Sequence, residues 1–244
     1  MDGVPAYRVE QVRNWVFEKG VLGWEEMTNL PVSLRAELAE LWDTVPMEKV
    51  QAQGSKDTTQ KFLWRLRDGQ LIESVLIPAT KGTKGMRSSR LTLCVSTQVG
   101  CALGCKFCAS GLDGLKRNLT TGEIIGQILL ARNEAGRRID NLVFMGMGEP
   151  LANFDNVWSA VERIHDDLGI GARKITISTV GVIPGIEQLS RRDLPVSLAV
   201  SLHSANDNVR NRIAPVNRTY PLRKLAEALQ AYKRAKNRRI SLEW

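Results

Sequence analysis

Cysteine is scarce in this sequence, and none lies after residue 108. Only four cysteines and two histidines occur in 244 residues. So few cysteines cannot form the disulfide framework of a small secreted protein. We therefore expect a reducing, cytoplasmic setting, which suits cysteine thiolates that bind a metal.

Long hydrophobic runs are also missing, and acidic residues are outnumbered. No apolar run is long enough to span a bilayer, and residues 1–10 contain no apolar signal-peptide core. We therefore expect no contact with a membrane. The 34 Lys and Arg exceed the 26 Asp and Glu, which gives a formal charge of +8. This excess favours a polyanionic partner such as nucleic acid. The best candidates for phosphate contacts share one Gly/Ser-rich loop: Lys81, Lys84, Arg87 and Arg90.

The chain divides into three predicted parts. Apolar residues at helical spacing in 7–19 and 32–42 predict a small helical accessory domain, and the Asp68-Gly69 turn between two alternating segments predicts a β-hairpin. From residue 91 onward, predicted strands alternate with helices, which indicates an α/β fold with parallel strands. The parts are the helical domain at 1–45, the hairpin and basic loop at 46–90, and the α/β domain at 91–244. Its predicted strands are 91–96, 141–145, 174–178, 195–201 and 239–243.

The most informative motif is a group of three cysteines with the spacing C-x3-C-x2-C. It reads Cys101-Ala-Leu-Gly-Cys105-Lys-Phe-Cys108. Three thiolates can hold three corners of a [4Fe–4S] cluster and leave the fourth iron open to a substrate, unlike ferredoxins in which cysteine holds every iron. A zinc site with Cys94 or a histidine as fourth ligand is the rival interpretation. The spacing alone leaves both open.

Polar groups and glycines follow the predicted strands. Gly146–Pro150 follows the second strand, Ser178–Gly181 the third, and Ser201-Leu202-His203 the fourth. In α/β folds, functional groups gather at the carboxyl ends of the strands. Each group alone is compatible with a turn or a structural histidine, but their recurrence predicts a site. Its candidate residues are Gly148, Glu149, Ser178, Ser201, Leu202 and His203.

Glu73 has two interpretations. The alternating pattern of residues 70–78 places it on one strand face with Leu71, Val75 and Ile77. It is either a strand-edge carboxylate that reaches water or an arginine, or a partly desolvated acid suited to proton transfer. The pattern alone favours the first.

Several long segments together resemble one enzyme family. They are Arg90–Cys108, Asn118-Leu119, Glu123–Gln127, Met145–Pro150, Ser201–His203 with Asn206-Asp207, and the N-terminal stretch Tyr7–Met27. These segments resemble the radical S-adenosylmethionine (SAM) methyltransferases that methylate adenine C2. The targets of that family are 23S ribosomal RNA and, in many members, tRNA.

The resemblance implies a fold and a cofactor site. The fold is a partial (βα)6 barrel behind the helical accessory domain and the hairpin. Cys101, Cys105 and Cys108 would ligate a [4Fe–4S] cluster, whose open iron binds SAM. The positions that match the family's cofactor contacts are Gly148, Glu149, Ser178, Ser201, Leu202 and His203. The reduced cluster of that family cleaves SAM to methionine and a 5′-deoxyadenosyl radical.

The resemblance also implies roles for two residues outside the cluster. Cys94 matches a cysteine that resolves a protein–RNA adduct by forming a disulfide, and Glu73 matches the family's proton acceptor. The family's methyl-carrying cysteine lies near its C-terminus, whereas all four cysteines here end at Cys108. The resemblance therefore predicts that residues 1–244 lack the methyl carrier, that 239–243 is the fifth of six strands, and that this stretch alone cannot complete methylation.

The expected partners follow from the same resemblance. They are 23S ribosomal RNA, tRNA, and an electron donor such as a flavodoxin-type reductant, with the protein as a monomer. Two alternatives stay open. The first is the related resistance-type enzyme that methylates adenine C8, and the second is a zinc-stabilised RNA-binding module without catalysis.

Overall fold

The computed structural model describes residues 5–55, 58–79 and 90–244. Its helices are α1 (Ala6–Arg13), α2 (Val32–Leu41), α3 (Thr121–Ala135), α4 (Phe154–Asp166), α5 (Ile183–Ser190), α6 (Asp207–Ile213) and α7 (Leu222–Lys236). Its strands are β1 (Met47–Gln53), β2 (Gln60–Leu66), β3 (Leu71–Pro78), β4 (Leu91–Cys94), β5 (Gln98–Gly100), β6 (Leu115–Asn118), β7 (Asn141–Phe144), β8 (Ile175–Thr179), β9 (Ser197–Ser201) and β10 (Ile240–Glu243). Within these ranges, none of the helices has the length and apolarity needed to cross a bilayer.

The main sheet has eight strands in the order β1-β2-β3-β4-β7-β8-β9-β10. The strands from β4 to β10 in this order are parallel, and the hairpin strands join them through the antiparallel pair β3–β4. This arrangement confirms the predicted α/β fold with a partial barrel. The hairpin is continuous with the barrel sheet, because Val75 of β3 pairs with Cys94 of β4.

Three strands were missed by the sequence analysis. Strand β1 is an edge strand that is almost wholly exposed, so its polar sequence carries no burial pattern. Strands β5 and β6 form a separate two-stranded ribbon, and the cysteine loop lies between them. The cysteine loop therefore begins after β5 and not directly after β4, the first parallel strand. Only three residues form β5, which is too short for a periodic pattern to be seen.

Helix α3 begins directly after its N-cap residue, Thr120. The backbone N–H of Glu123 donates to Thr120 Oγ1 over 3.2 Å, and the Thr120 N–H donates to Glu123 Oε2 over 2.8 Å. This reciprocal pair satisfies two backbone donors that would otherwise lack partners. Arg117 adds an ion pair with Glu123 at 2.8 Å, so the end of β6 is tied to the start of α3.

The N-terminal helices are held against the barrel by polar contacts. Arg132 donates to the carbonyl of Val16 over 2.8 Å, and Asn133 donates to the carbonyl of Gly20 over 2.9 Å. On the same side, Arg13 forms a salt bridge with Asp167, whose side chain is buried. The accessory helices are thus fixed to the ends of α3 and α4.

A buried glutamine connects the hairpin, the first parallel strand and α3. Gln127 Oε1 accepts hydrogen bonds from Ser74 Oγ and from the Ser96 N–H, both over 2.8 Å, and Gln127 Nε2 donates to the Ser96 carbonyl over 3.0 Å. Trp64, from the buried face of β2, donates its indole N–H to Ser74 Oγ. Buried polar groups of this kind are stable only while every partner is present. Gln127 therefore fixes the segment that leads into the cysteine loop.

We expect Gln127→Leu to lower the free energy of unfolding by about 3 kcal/mol. The substitution leaves the buried N–H and C=O of Ser96 without partners, and each such group costs about 1–3 kcal/mol. Urea denaturation monitored by circular dichroism measures the loss. The matched control is Gln230→Leu on the exposed face of α7, which should change the free energy by less than about 0.5 kcal/mol. Equal effects of the two substitutions would contradict this assignment.

Candidate active site

A cavity of about 440 Å³ lies at the carboxyl ends of the parallel strands. The cysteine loop forms one wall. The others come from the ends of β7, β8, β9 and β10, including Gly148, Ser178, Ser201 and Glu243. The parallel pairing brings these separate segments to one edge of the sheet, as the sequence analysis predicted.

The cysteine loop contributes all three of its thiols to this cavity. Cys101, Cys105 and Cys108 line it, and all four cysteines of the chain are free. The loop is anchored at both sides, since the Cys101 N–H donates to the Gly114 carbonyl and the Lys106 N–H donates to the Ile213 carbonyl over 2.8 Å. Because Cys94 is among the free cysteines, the disulfide that the resemblance implies for it is not formed in this structure.

The donor set of this loop fits a cluster with an open iron. Three thiols line the cavity, while Cys94 lies outside it on β4. Burial raises the pKa of Cys101, and it raises that of Cys105 to about 11. Bound metal would lower such a pKa strongly, because a coordinating thiol gives up its proton. In the described part of the chain, no three Cys, His, Asp or Glu side chains already stand at metal-binding positions.

Two glycines bring the end of β7 close to the segment before the cysteine loop. A Cβ on Gly146 would lie 2.7 Å from the carbonyl of Val95, and a Cβ on Gly148 would lie 2.5 Å from Gln98 Cβ. Gly148 also has a φ of +96°, which side chains rarely adopt. Only glycine fits there, so the turn after β7 can form the cavity wall.

Glu149 is a buried carboxylate in that wall. Its Oε1 accepts from the Leu151 N–H over 3.1 Å and its Oε2 accepts from the Val180 N–H over 3.0 Å. Its own N–H donates to Gln98 Oε1 over 2.8 Å. Burial raises the pKa of Glu149, and the hydrogen bonds from these backbone donors act in the opposite direction. The carboxylate is thus oriented by the ends of β7 and β8 together.

The sequence analysis missed Glu243, which lies between the two predicted serines. Ser201 Oγ donates to Glu243 Oε2 over 2.7 Å, and Ser178 Oγ donates to the same oxygen over 3.5 Å. Ser201 and Glu243 are register partners in the β9–β10 pair, so their side chains share one face. The sequence signal that could have found Glu243 is its position at the end of the predicted strand 239–243. The other candidate residues were selected because they follow predicted strands in the same way.

His203 continues the wall after β9, and Leu202 lies between it and Ser201. The N–H groups of Leu202 and His203 both donate to the Glu243 carbonyl over 3.0 Å. The His203 ring lies in the cavity 4.1 Å from the Phe107 ring of the cysteine loop, centroid to centroid. His203 has a φ of +54°, a left-handed conformation uncommon outside glycine. Leu202 packs against the core and does not line the cavity.

Glu73 and Cys94 share a face of the sheet outside this cavity. Because Val75 pairs with Cys94, Glu73 lies on the same face, two residues further toward the carboxyl end of β4. Cys94 is buried, which raises its pKa to about 11. Glu73 forms a salt bridge with Lys61 at 2.8 Å, and its side chain is 41% exposed. The face of β3 that was predicted as largely aliphatic is the more open one, since Ile72, Ser74 and Leu76 occupy the buried side.

Three residues of the predicted basic loop, Lys81, Lys84 and Arg87, lie outside the described residues.

Comparisons with known proteins agree with this geometry. Residues 95–242 match the model of the radical SAM superfamily, and residues 2–43 match the model of the ribosomal RNA large subunit methyltransferase N-terminal domain. A probable dual-specificity RNA methyltransferase RlmN of Akkermansia muciniphila is 54% identical over 99% of this chain and 68% of its own length. The RlmN of Dictyoglomus thermophilum is 46% identical with the same coverage.

A solved structure extends the likeness to three dimensions. The crystal structure of a radical SAM methyltransferase from Sphaerobacter thermophilus is 42% identical, with a TM-score of 0.92 over 100% of this chain and 71% of that one. The superfamily match covers the cysteine loop and most of the strand ends that build the cavity, and the N-terminal match covers the segment that contacts the ends of α3 and α4. The chain therefore belongs to the radical SAM superfamily and, within it, to the RlmN family of methyltransferases.

Proposed function

We propose that this protein methylates C2 of adenosine in 23S ribosomal RNA, and in tRNA, with a [4Fe–4S] cluster and SAM. The observation that carries the proposal is the placement of three free thiols beside one cavity with Glu149, Ser178 and Ser201 opposite them. The names of the relatives support an RNA substrate with two specificities, and the matched N-terminal domain is named for the large-subunit ribosomal RNA. The choice of 23S ribosomal RNA and tRNA follows from the family resemblance.

The chemistry of the substrate requires a radical route. Adenine C2 is not nucleophilic, so an ordinary polar transfer of a methyl cation from SAM does not work there. When bound, the cluster would supply the electron that cleaves SAM and starts a radical reaction. Cys101, Cys105 and Cys108 would hold it at the rim of the cavity.

The remaining walls would bind SAM. The Glu149 carboxylate, oriented by two backbone donors, accepts hydrogen bonds from the amino group of the cofactor. Gly148 lets the backbone approach the cofactor closely, and Ser178 and Ser201 offer hydroxyl groups oriented by Glu243. Because SAM carries a positive sulfonium, the Glu243 carboxylate also favours its binding by charge.

Glu73 and Cys94 would act on the RNA adduct. They lie on one face of neighbouring strands. Glu73 would accept the C2 proton of the adenine to which the methylene carbon is bonded. The Cys94 thiolate would then attack the sulfur of the family's methyl-carrying cysteine, which is not among residues 1–244, so that the S–S bond forms as the sulfur–methylene bond breaks and the methylene carbon takes up a proton. Lys61 holds the Glu73 carboxylate by an ion pair. A flavodoxin-type reductant would supply electrons, and the ribosomal RNA substrate implies action in the cytoplasm. The proposed active form is a monomer.

We expect Cys105→Ala to abolish the cluster and SAM cleavage, because only two ligands remain. Visible absorbance and iron content of the reconstituted protein measure the first effect. Liquid chromatography of 5′-deoxyadenosine formed with dithionite measures the second.

Cys94→Ala is the matched control, since Cys94 lies outside the cavity. It should keep the cluster and the cleavage of SAM. A zinc-stabilised RNA-binding module predicts no visible absorbance and no cleavage in the unaltered protein, and that result would reject the proposed function.

We expect Glu243→Gln to weaken SAM binding about tenfold, or about 1.4 kcal/mol. An amide accepts the serine hydrogen bonds less strongly than a carboxylate, and a negative charge is lost beside a cationic cofactor. Isothermal titration calorimetry with the reconstituted protein measures the affinity. Glu227→Gln, on the exposed face of α7, is the control and should leave the affinity unchanged. A loss shared by both variants would count against the role of Glu243.

The methylated position tests the substrate assignment. The assay uses a protein that covers the full length of the relatives. Mass spectrometry of the treated RNA should show 2-methyladenosine, whereas 8-methyladenosine would indicate the resistance-type reaction.

In the same assay, Glu73→Gln should lower the yield of methylated RNA by at least about 100-fold while SAM cleavage continues, since proton transfer typically contributes that much. Unchanged product with the glutamine variant would remove Glu73 from the mechanism.

A further inference from the structure

Arg210 is a fully buried cation behind the cavity. It lies on α6, is 0% exposed, and donates to three oxygens. Its Nε donates to the Leu202 carbonyl over 3.1 Å, its Nη1 to Asn217 Oδ1 over 2.7 Å, and its Nη2 to the Val180 carbonyl. All three acceptors are neutral.

Two of these acceptors belong to the segments that build the cavity. Val180 lines it and donates its own N–H to Glu149, and Leu202 stands between Ser201 and His203. One guanidinium therefore joins the segments that follow β8 and β9. A planar group with several fixed donors suits this task better than a lysine would.

The helix that carries Arg210 also holds the cysteine loop. The carbonyl of Ile213, the last residue of α6, accepts the Lys106 N–H over 2.8 Å. The cysteine loop is thus bonded to the helix that carries the buried cation.

The charge of Arg210 has no carboxylate bonded to it. Among the described residues, no salt bridge to Arg210 is formed, and the Asp207 carboxylate accepts from Asn217 Nδ2 and the Leu222 N–H instead. Asp207 acts on this charge only from the exposed start of α6 and through Asn217. A buried charge that no carboxylate contacts is costly. Three cysteine thiolates around a cluster would add negative charge.

We propose that Arg210 is a positioning residue that serves as the fixed counter-charge of the cluster and raises its reduction potential. This inference rests on the proposed function, since it requires a cluster on Cys101, Cys105 and Cys108. Reduction adds one negative charge to the cluster. A fixed cation in a low-dielectric interior stabilises the reduced form more than the oxidised form.

The test is the midpoint potential of the reconstituted protein, measured by redox titration with electron paramagnetic resonance. Arg210→Gln should lower the ratio of reduced to oxidised cluster about tenfold at a fixed potential, which is about 59 mV for a one-electron couple. Arg212→Gln is the matched control, because Arg212 is exposed on the same helix. Its charge is screened by water, so the potential should not change.

Arg210→Lys tests the positive charge separately from the hydrogen-bond geometry of the guanidinium. It also replaces the glutamine variant if that variant does not fold. At neutral pH the lysine variant should bind SAM more weakly but keep a potential close to that of the unaltered protein. As pH rises, a buried lysine loses its proton and arginine does not. The potential of the lysine variant should therefore fall with rising pH relative to the unaltered protein.

Two results would overturn the inference. One is a glutamine variant with an unchanged potential, or one that shifts no more than Arg212→Gln. The other is a lysine variant whose potential follows that of the unaltered protein at every pH. If the unaltered protein forms no [4Fe–4S] cluster, the proposed function itself fails, and this outcome is distinguishable because no iron–sulfur signal appears in any variant.

Discussion

The register of the parallel strands is the constraint on which the site depends. Side chains alternate between the two faces of a sheet, so a slip of one residue would move each of them to the opposite face. The pairing of Cys94 with Val143, and of Ser201 with Glu243, places cysteine, serine and carboxylate side chains on one face. The cavity walls follow from that register, because the segments after β7, β8 and β9 all leave the sheet at the same edge.

Two buried ionisable side chains on either side of the chain after β8 show how the site is kept rigid. Glu149 is held by the N–H groups of Leu151 and Val180, and Arg210 is held by the carbonyls of Val180 and Leu202. Val180 is bonded to both, through its N–H and its carbonyl. The chain after β8 is therefore fixed from two sides, and the position of one wall is coupled to that of the next.

The polar network around Gln127 has a similar role on the side of the cysteine loop. Ser96 leaves β4 toward the ribbon that carries the cysteines, and its N–H and C=O are both bonded to Gln127. Its hydroxyl donates to the Glu73 carbonyl and accepts the Met147 N–H. The hairpin, the segment before the cysteine loop and the Gly146–Pro150 turn are thus joined at Ser96, whose hydroxyl and backbone link the predicted proton acceptor to the cysteine loop.

The sequence by itself determined the chemistry of this protein, and the tertiary structure decided the geometry. The spacing of Cys101, Cys105 and Cys108, and the motifs at the strand ends, are local in the chain, and strand–helix alternation places them at one edge of the sheet. The open face of Glu73, the ribbon around the cysteine loop, and the contacts of Glu243 and Arg210 were not predictable in this way. They depend on pairings between residues far apart in the chain, such as Ser201 with Glu243 and Arg210 with Val180, which exist only once the sheet has its register.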